Sequence, residues 1–159
     1  MSGESYIHAT AVMISGSGLL IRGLSGSGKS SLALSLLQRA TALGWPAHLV
    51  ADDQVMVRLA GDDGVSLHAP ETIAGLIELR GIGLLRLPYA PMVRLDLVID
   101  LVERETIERL PDPTTAEILG RCVRRVTMPS RDPAFGADLV LTLLAPEAVM
   151  VPTGPERRS

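Results

Sequence analysis

The segment Gly23-Leu24-Ser25-Gly26-Ser27-Gly28-Lys29-Ser30 decides the fold class, because it matches the phosphate-binding pattern G-x-x-x-x-G-K-[ST]. A short apolar segment, residues 19–22, precedes it, and apolar residues with helical spacing follow from Ser30 onward. Glycines allow backbone N–H groups to turn inward around a polyphosphate, and the positive end of the following helix dipole points at the same anion. The segment therefore predicts a strand, a phosphate-binding loop and a helix.

The loop and the first helical residues are candidates for nucleotide binding: Gly23, Leu24, Ser25, Gly26, Ser27, Gly28, Lys29, Ser30 and Ser31. Lys29 would place its charge on the β- and γ-phosphates of a nucleotide, and the Ser30 hydroxyl can ligate Mg²⁺. Lys29 is the only lysine among 15 basic residues, and the others are arginines. A compact ammonium group suits this position better than a rigid guanidinium group.

Hydrophobic patterns elsewhere predict more strands than helices. Residues 93–101 alternate between apolar and charged side chains, which predicts an antiparallel or edge strand. Gly61-Asp62-Asp63-Gly64 predicts a hairpin, and residues 134–145 have a helical pattern. The other predicted strands span residues 6–14, 19–22, 47–51, 55–59 and 65–68. These patterns favour an α/β fold with a mixed sheet over a doubly wound parallel sheet.

Composition limits the classes of function. The chain has 159 residues, which predicts one domain over residues 1–150 and a disordered tail over 151–159. A net charge of −3 and only 3% aromatic residues argue against nucleic-acid binding and against a charged membrane surface. No apolar segment is long enough for a membrane span. Cys122 is the only cysteine, so a cytoplasmic location is expected.

Two carboxylates, Asp52 and Asp53, follow an apolar strand and are candidates for a metal-anchoring acid and a general base. Glu78 and Arg80 would share one strand face among apolar neighbours, which suggests partial burial. Buried charges need partners, and a metal or a phosphate would serve, although a local surface ion pair fits the residues equally well.

Two further polar residues have ordinary structural interpretations when they are considered alone. His8 lies in an apolar segment, where a hydrogen-bonded core histidine is the usual case. Arg109 lies in Glu108-Arg109-Leu110-Pro111 and is expected to be a solvated charge.

Five segments together resemble the catalytic domain of HPr kinase/phosphorylase, a bacterial protein-serine kinase that acts on the phosphocarrier protein HPr of the sugar phosphotransferase system. In chain order they are Tyr6-Ile7-His8, the loop at 23–30, Leu49-Val50-Ala51-Asp52-Asp53, Ala69-Pro70-Glu71-Thr72-Ile73-Ala74-Gly75 and Ile77-Glu78-Leu79-Arg80-Gly81-Ile82-Gly83. The likeness covers about residues 5–130. The Glu-x-Arg-Gly-x-Gly stretch after a phosphate-binding loop is more specific than the loop alone.

This resemblance implies a P-loop kinase domain with a mixed sheet, related to the nucleotide-binding fold of phosphoenolpyruvate carboxykinase. It implies ATP- and Mg²⁺-dependent phosphorylation of a serine on an HPr-type protein. Lys29 and Ser30 would bind the triphosphate and Mg²⁺, and Glu78 would be a second Mg²⁺ ligand.

The resemblance also assigns the remaining candidates. The aspartate pair would hold the proton acceptor, with Asp53 favoured and Asp52 beside it. Arg80 lies in a segment that the family uses in both reaction directions, and His8 matches the histidine before the family's loop. Arg109, in an Arg-Leu-Pro step, resembles the arginine of the family's Arg-Leu-Gly step.

Two departures from the family pattern bear on function. The chain starts almost at the catalytic strand, so we expect a short form without the N-terminal domain of longer members, and a homo-oligomer is left open. Residues 128–133 do not reproduce the family's Pro-Gly-Arg-Asn loop, which is tied to the phosphorylase direction; Arg131 is the candidate basic residue there.

Two other functions are compatible with a phosphate-binding loop. A small-molecule kinase would use a mobile basic lid, for which residues 121–125 are the candidate, although a solvated face fits them better. A non-catalytic nucleotide sensor would use the same loop as a binding module in signalling.

Overall fold

A mixed nine-stranded sheet forms the centre of the computed structural model, which describes residues 3–152. The tail predicted for residues 151–159 therefore lies mostly outside the described residues. The nine strands of the sheet are β1 (Glu4–Ile7), β2 (Thr10–Ile14), β3 (Ser17–Arg22), β4 (Ala47–Ala51), β5 (Val55–Leu59), β6 (Val65–His68), β9 (Met92–Val102), β10 (Thr114–Ile118) and β11 (Arg121–Pro129). A separate hairpin consists of β7 (Leu76–Leu79) and β8 (Gly83–Arg86). The helices are α1 (Lys29–Ala42) and α2 (Pro133–Leu144), with single 3-10 turns at Glu71–Ile73 and Arg104–Thr106.

The long strand β9 organises the sheet. It pairs in parallel with β3 and with β11, and in an antiparallel manner with β6. The sheet continues from β3 through β2 to β4, while β5 and β1 extend it beyond β6. The expectation that residues 93–101 form an antiparallel or edge strand is confirmed only for the pairing with β6, because β9 is central and also has two parallel neighbours. Its polar face is exposed at Arg94 and Asp96 and half-buried at Asp100. Asp100 is neutralised there by arginines from the neighbouring strands β3 and β11.

The two faces of the sheet bury different clusters. Alternate residues of β2, β3 and β9, such as Val12, Ile21 and Ile99, pack with α1 and α2. The opposite face, which includes Leu20 and Val98, packs with residues of β5, β6 and β10. This division explains the few helices: strands that curl back cover the second face, where a doubly wound fold would place further helices.

Strand directions bring five chain segments to one edge of the sheet. β2 is antiparallel to both β3 and β4, so β3 and β4 run in the same direction. β9 and β11 are parallel to β3. The carboxyl ends of these four strands and the start of β2 therefore meet at one edge, which is the usual place for ligand binding in α/β sheets.

Several local predictions are confirmed, and one is corrected. The hairpin at 55–68 has the predicted bounds, with Asp63 in the left-handed conformation at φ 68°. The helix after the loop ends before Gly44, which has φ 81°. Residues 6–14 do not form a single strand: the chain pairs with β5 up to Ile7, and from Thr10 it pairs with β3 and β4. This change of partner breaks the strand at His8 and Ala9.

The basic stretch at 121–125 is part of the paired strand β11, so it is not a mobile lid. Among the described residues, no helix has the length and apolar character needed to cross a membrane.

Candidate active site

The phosphate-binding loop lies between the end of β3 and the start of α1. Gly26 and Gly28 have φ of 79° and 96°, a region that glycine enters without steric cost. A Cβ on Gly23 would lie 2.4 Å from the Ser27 hydroxyl oxygen, so only glycine fits there. Glycine is therefore sterically favoured at all three glycine positions of the loop, and α1 begins directly behind it with its positive dipole end.

Lys29 is the first residue of α1 and is buried, with only 8% of its surface exposed. Its Nζ donates hydrogen bonds to the carbonyl oxygens of Gly23 and Leu24, at 2.9 Å and 3.1 Å. An ammonium group has three donors, so one donor is left for a phosphate oxygen. The side chains of the candidates Leu24 and Ser31 are exposed.

A second segment supports the loop from behind. The backbone N–H of Arg131 donates to the Ser27 carbonyl oxygen at 2.9 Å. Arg131 has φ 58° and its guanidinium group pairs with Glu103 at 3.2 Å. Segment 128–133 therefore contacts the phosphate-binding loop through the backbone, while the charge of Arg131 is engaged by Glu103.

Asp52 is the buried carboxylate of the site, with 6% of its surface exposed. Its Oδ1 accepts hydrogen bonds from the hydroxyls of Ser30 at 2.7 Å and Thr10 at 2.9 Å. Its Oδ2 accepts a longer hydrogen bond, 3.3 Å, from the backbone N–H of Glu78. Three chain segments thus fix this carboxylate against the serine that follows the loop lysine.

Asp53 is the exposed carboxylate. Its side chain is 82% exposed, and its backbone has φ 69°, which turns it away from its neighbour Asp52. Asp53 Oδ1 lies 2.8 Å from His8 Nε2. The change of strand partner between β1 and β2 leaves His8 at this position, where its side chain is 59% exposed. The core position that is usual for a histidine in an apolar segment is therefore not found.

The other candidates are less closely tied to the site. Glu78 lies on β7, where its backbone N–H donates a hydrogen bond to Asp52, but its side chain is exposed. Arg80 is exposed in the turn that follows β7. The expected partial burial of this pair is therefore wrong. Arg109 is exposed in a bend between the second 3-10 turn and β10. Neither arginine forms a hydrogen bond or an ion pair with any other described residue.

Two oxygen donors beside the loop fit a magnesium ion that nucleotide phosphates would help to hold. These are the Ser30 hydroxyl and the Asp52 carboxylate, whose oxygens are 2.7 Å apart. Mg²⁺ usually takes one or two carboxylates together with phosphate oxygens and water. Within residues 3–152, no group of three or more His, Cys, Asp or Glu side chains could hold a metal ion by itself.

One charged cluster near the loop was missed in the sequence. Asp100 on β9 accepts two hydrogen bonds from Arg22, at 2.8 Å and 2.9 Å, and another from Arg125. Burial raises the pKa of Asp100, but the hydrogen bonds from the two arginines outweigh it, and the pKa is lowered overall. Because Arg22 directly precedes Gly23, the cluster anchors the strand end from which the loop starts.

The chain is similar to known proteins in both sequence and structure. Residues 1–142 match the family model described as "HPr Serine kinase C-terminal domain". The HPr kinase/phosphorylase of Polaromonas sp. (strain JS666 / ATCC BAA-500) is 36% identical over 132 residues, which are 76% of this chain and 40% of that protein. The HPr kinase/phosphorylase of Alkaliphilus metalliredigens (strain QYMF) is 36% identical over 150 residues, 87% of this chain and 46% of that protein. This chain therefore spans less than half the length of these relatives.

The solved structure of the Hpr(Ser) kinase/phosphatase from Coxiella burnetii is similar with a TM-score of 0.75. It has 27% sequence identity, and the alignment covers 88% of each chain. The mixed-sheet architecture is therefore shared with a solved member of the same family. With a family model matching most of its length, the chain belongs to the HPr serine kinase C-terminal domain family.

Proposed function

We propose that this chain is an ATP- and Mg²⁺-dependent protein-serine kinase that phosphorylates an HPr-type phosphocarrier protein. The observation that carries the proposal is a phosphate-binding loop with a buried lysine beside an exposed Asp53–His8 pair, in a chain of the HPr serine kinase family. The proposal includes a P-loop kinase domain over residues 1–150, related to the phosphoenolpyruvate carboxykinase fold. It also includes a cytoplasmic location, as expected for an ATP-dependent enzyme with a single free cysteine.

The loop and Lys29 would bind the ATP phosphates. Backbone N–H groups around the glycines, the N-terminal end of α1 and the remaining donor of Lys29 all present positive charge to the transferred group. The hydroxyl oxygen of the acceptor serine forms a bond to the γ-phosphorus, and the bond between that phosphorus and the β,γ-bridging oxygen breaks. ADP leaves with the electron pair.

Asp53 would take the proton of the serine hydroxyl. Its carboxylate is exposed and therefore reachable by a side chain of another protein. His8, 2.8 Å away, orients the carboxylate so that the other oxygen is presented to the acceptor. Asp52 is already engaged by two hydroxyls and is less suited to this step.

Ser30 and Asp52 would hold the magnesium ion together with the nucleotide phosphates, and Glu78 is the candidate for a further ligand. A bound Mg²⁺ would neutralise charge on the β- and γ-phosphate oxygens. Arg80 and Arg109 are proposed to contact the acceptor protein or the transferred phosphoryl group, because both guanidinium groups are exposed and uncommitted among the described residues.

The direct test is incubation of the purified chain with Mg·ATP and an HPr-type protein from the same organism, followed by intact-mass measurement. We expect a mass increase of one phosphoryl group on HPr, and none on an HPr variant in which the target serine is alanine. Absence of the modification on every HPr-type protein of the organism would refute the proposal. Turnover of ATP stimulated by a metabolite would instead support a small-molecule kinase, and tight ATP binding without transfer would support a nucleotide sensor.

The reverse reaction is a separate part of the proposal. The segment 128–133 contacts the loop through the backbone N–H of Arg131, and it is the region that the family resemblance ties to the phosphorylase direction. Incubation of phosphorylated HPr with inorganic phosphate and Mg²⁺ tests whether the phosphoryl group is removed. Whether subunits associate is tested by the molar mass in solution.

A further inference from the structure

Thr10 is a fully buried polar residue next to the site, and none of the roles above uses it. It is the first residue of β2, at the edge of the sheet where the loop and Asp52 also lie, and its exposure is 0%. Its Oγ1 donates to Asp52 Oδ1 at 2.9 Å, and this hydrogen bond is buried. A buried hydroxyl without a partner is costly, so the Thr10 hydroxyl and the Asp52 carboxylate constrain each other.

The direction of the hydrogen bonds on Asp52 matters for Ser30. The ionised carboxylate can only accept, so Thr10 and Ser30 both donate to the same oxygen, Oδ1. Ser30 therefore donates its hydroxyl proton to Asp52, and the lone pairs of its hydroxyl oxygen stay available for a cation. If Asp52 could rotate, this orientation of the Ser30 hydroxyl would no longer be fixed.

Thr10 is the stronger of the two remaining restraints on Asp52. The other is the backbone N–H of Glu78, at the longer distance of 3.3 Å and on the opposite oxygen. Thr10 belongs to the central sheet, where it pairs with Ile21 of the strand that leads into the loop. It therefore ties Asp52 to the same rigid strand pair that positions the loop.

We infer that Thr10 is a positioning residue: it fixes Asp52, and through Asp52 the Ser30 hydroxyl, for binding of a divalent cation together with nucleotide phosphates. The inference rests on the proposed function only in requiring that the chain binds Mg·nucleotide. It does not require transfer to HPr. Thr10 makes no hydrogen bond with the loop or Lys29 among the described residues, so its effect should be specific to the cation.

The test is calorimetric titration of ADP into the purified chain at a series of Mg²⁺ concentrations and in EDTA. For Thr10→Val, which keeps the shape and removes the hydroxyl, we expect the half-saturating Mg²⁺ concentration to rise about 5- to 30-fold. Affinity for ADP in EDTA should stay within about twofold, because the loop and Lys29 are unchanged. Thr10→Ser should restore the wild-type Mg²⁺ requirement, because it keeps the donor.

The matched control is Thr142→Val on α2. The Thr142 hydroxyl also donates a hydrogen bond, to the Asp138 carbonyl oxygen at 2.7 Å, but it is exposed and has no contact with the site. Its Mg²⁺ requirement should equal that of the wild type. If Thr10→Val does not fold, the pair Thr10→Ser and Thr10→Ala makes the same comparison, since these two residues differ by the hydroxyl oxygen alone.

The outcomes separate this inference from the proposed function. Equal Mg²⁺ requirements for wild type and Thr10→Val, or for the serine and alanine variants, overturn the positioning role even if HPr is phosphorylated. A shifted Mg²⁺ requirement in a chain that does not phosphorylate HPr supports the positioning role and contradicts the kinase proposal. A wild-type chain that binds no nucleotide with Mg²⁺ contradicts both.

Discussion

The phosphate side and the acceptor side of the candidate site differ in burial and in hydrogen bonding. On the phosphate side, which comprises loop 23–28, Lys29, Ser30 and Asp52, the two charged groups, Lys29 and Asp52, are only 8% and 6% exposed, and both have hydrogen-bond partners. On the acceptor side, which comprises His8, Asp53, Arg80 and Arg109, all side chains are exposed and only His8 and Asp53 are hydrogen-bonded to each other. A preorganised phosphate side costs little reorganisation when a nucleotide binds, whereas an open acceptor side leaves room for a macromolecule.

Among substitutions on the phosphate side, Lys29→Met, which removes the only lysine of the chain, should have the largest effect on activity. We expect phosphoryl transfer to HPr to fall at least about 1,000-fold, because the loop loses its charge and two hydrogen bonds that close it. Initial rates from intact-mass measurements give the comparison. Arg39→Gln is the control, since Arg39 lies on the same helix in an exposed ion pair with Asp138 and should keep the rate within about twofold. A Lys29→Met chain that retains a tenth of the activity would contradict this assignment.

The sharpest comparison of the two sides uses the adjacent carboxylates. Asp53→Asn should lower kcat about 100- to 1,000-fold and leave the affinity for Mg·ADP unchanged, because a general base acts only in the chemical step. Asp52→Asn should weaken Mg·ADP binding about tenfold or more, because the anchored negative charge beside Ser30 is lost. Titration calorimetry and steady-state kinetics on the same preparations separate the effects. If Asp52→Asn spares binding and removes catalysis, the two roles are exchanged.

A smaller effect is expected from the charged cluster that anchors the start of the loop. Asp100→Asn should lower the free energy of unfolding by about 1–3 kcal/mol at pH 7, because two arginines lose a charged partner that is 14% exposed. The pKa of Asp100 is lowered in the folded chain, so this stabilisation is present above its unfolded value of about 3.9 and is lost as the pH falls through the folded value.

Urea unfolding at neutral and acid pH measures this difference. The gap between wild type and Asp100→Asn should narrow as the pH falls below about 4, because the wild-type carboxylate becomes protonated. Asp138→Asn, in an exposed ion pair with Arg39, should change the free energy of unfolding by less than about 0.5 kcal/mol at every pH. A gap that stays constant from neutral to acid pH would show that the charge of Asp100 does not stabilise the fold.

Features set by neighbouring residues were predictable from the sequence. The hairpin at 55–68, the loop and helix α1 depend on local turn chemistry and local apolar spacing, and they were found where expected. The central position of β9 was not predicted, because the alternation of apolar residues with charged residues such as Asp100 indicated an antiparallel or edge strand with a solvent-exposed face. Only pairing with β3 and β11, distant in sequence, supplies the arginines that neutralise Asp100.

The candidate site shows the same limit. The loop motif identified Lys29 and Ser30, and the strand end identified Asp52. The burial of Asp52 and the exposure of Asp53 follow from a positive φ at one residue, which the sequence does not reveal. Thr10 was not singled out, although a threonine at the start of an apolar strand could have indicated a buried hydroxyl that needs a partner.

The hydrogen bond from the Arg131 N–H to the Ser27 carbonyl has an evolutionary consequence. Both groups belong to the main chain, so substitution at either position keeps the contact as long as the backbone path is kept. The restriction at position 131 is its φ of 58°, which glycine, asparagine and aspartate also adopt. Substitutions at position 131 that keep this backbone conformation would therefore keep the support of the loop, and the segment 128–133 is compatible with an intact phosphate-binding loop without a Pro-Gly-Arg-Asn sequence.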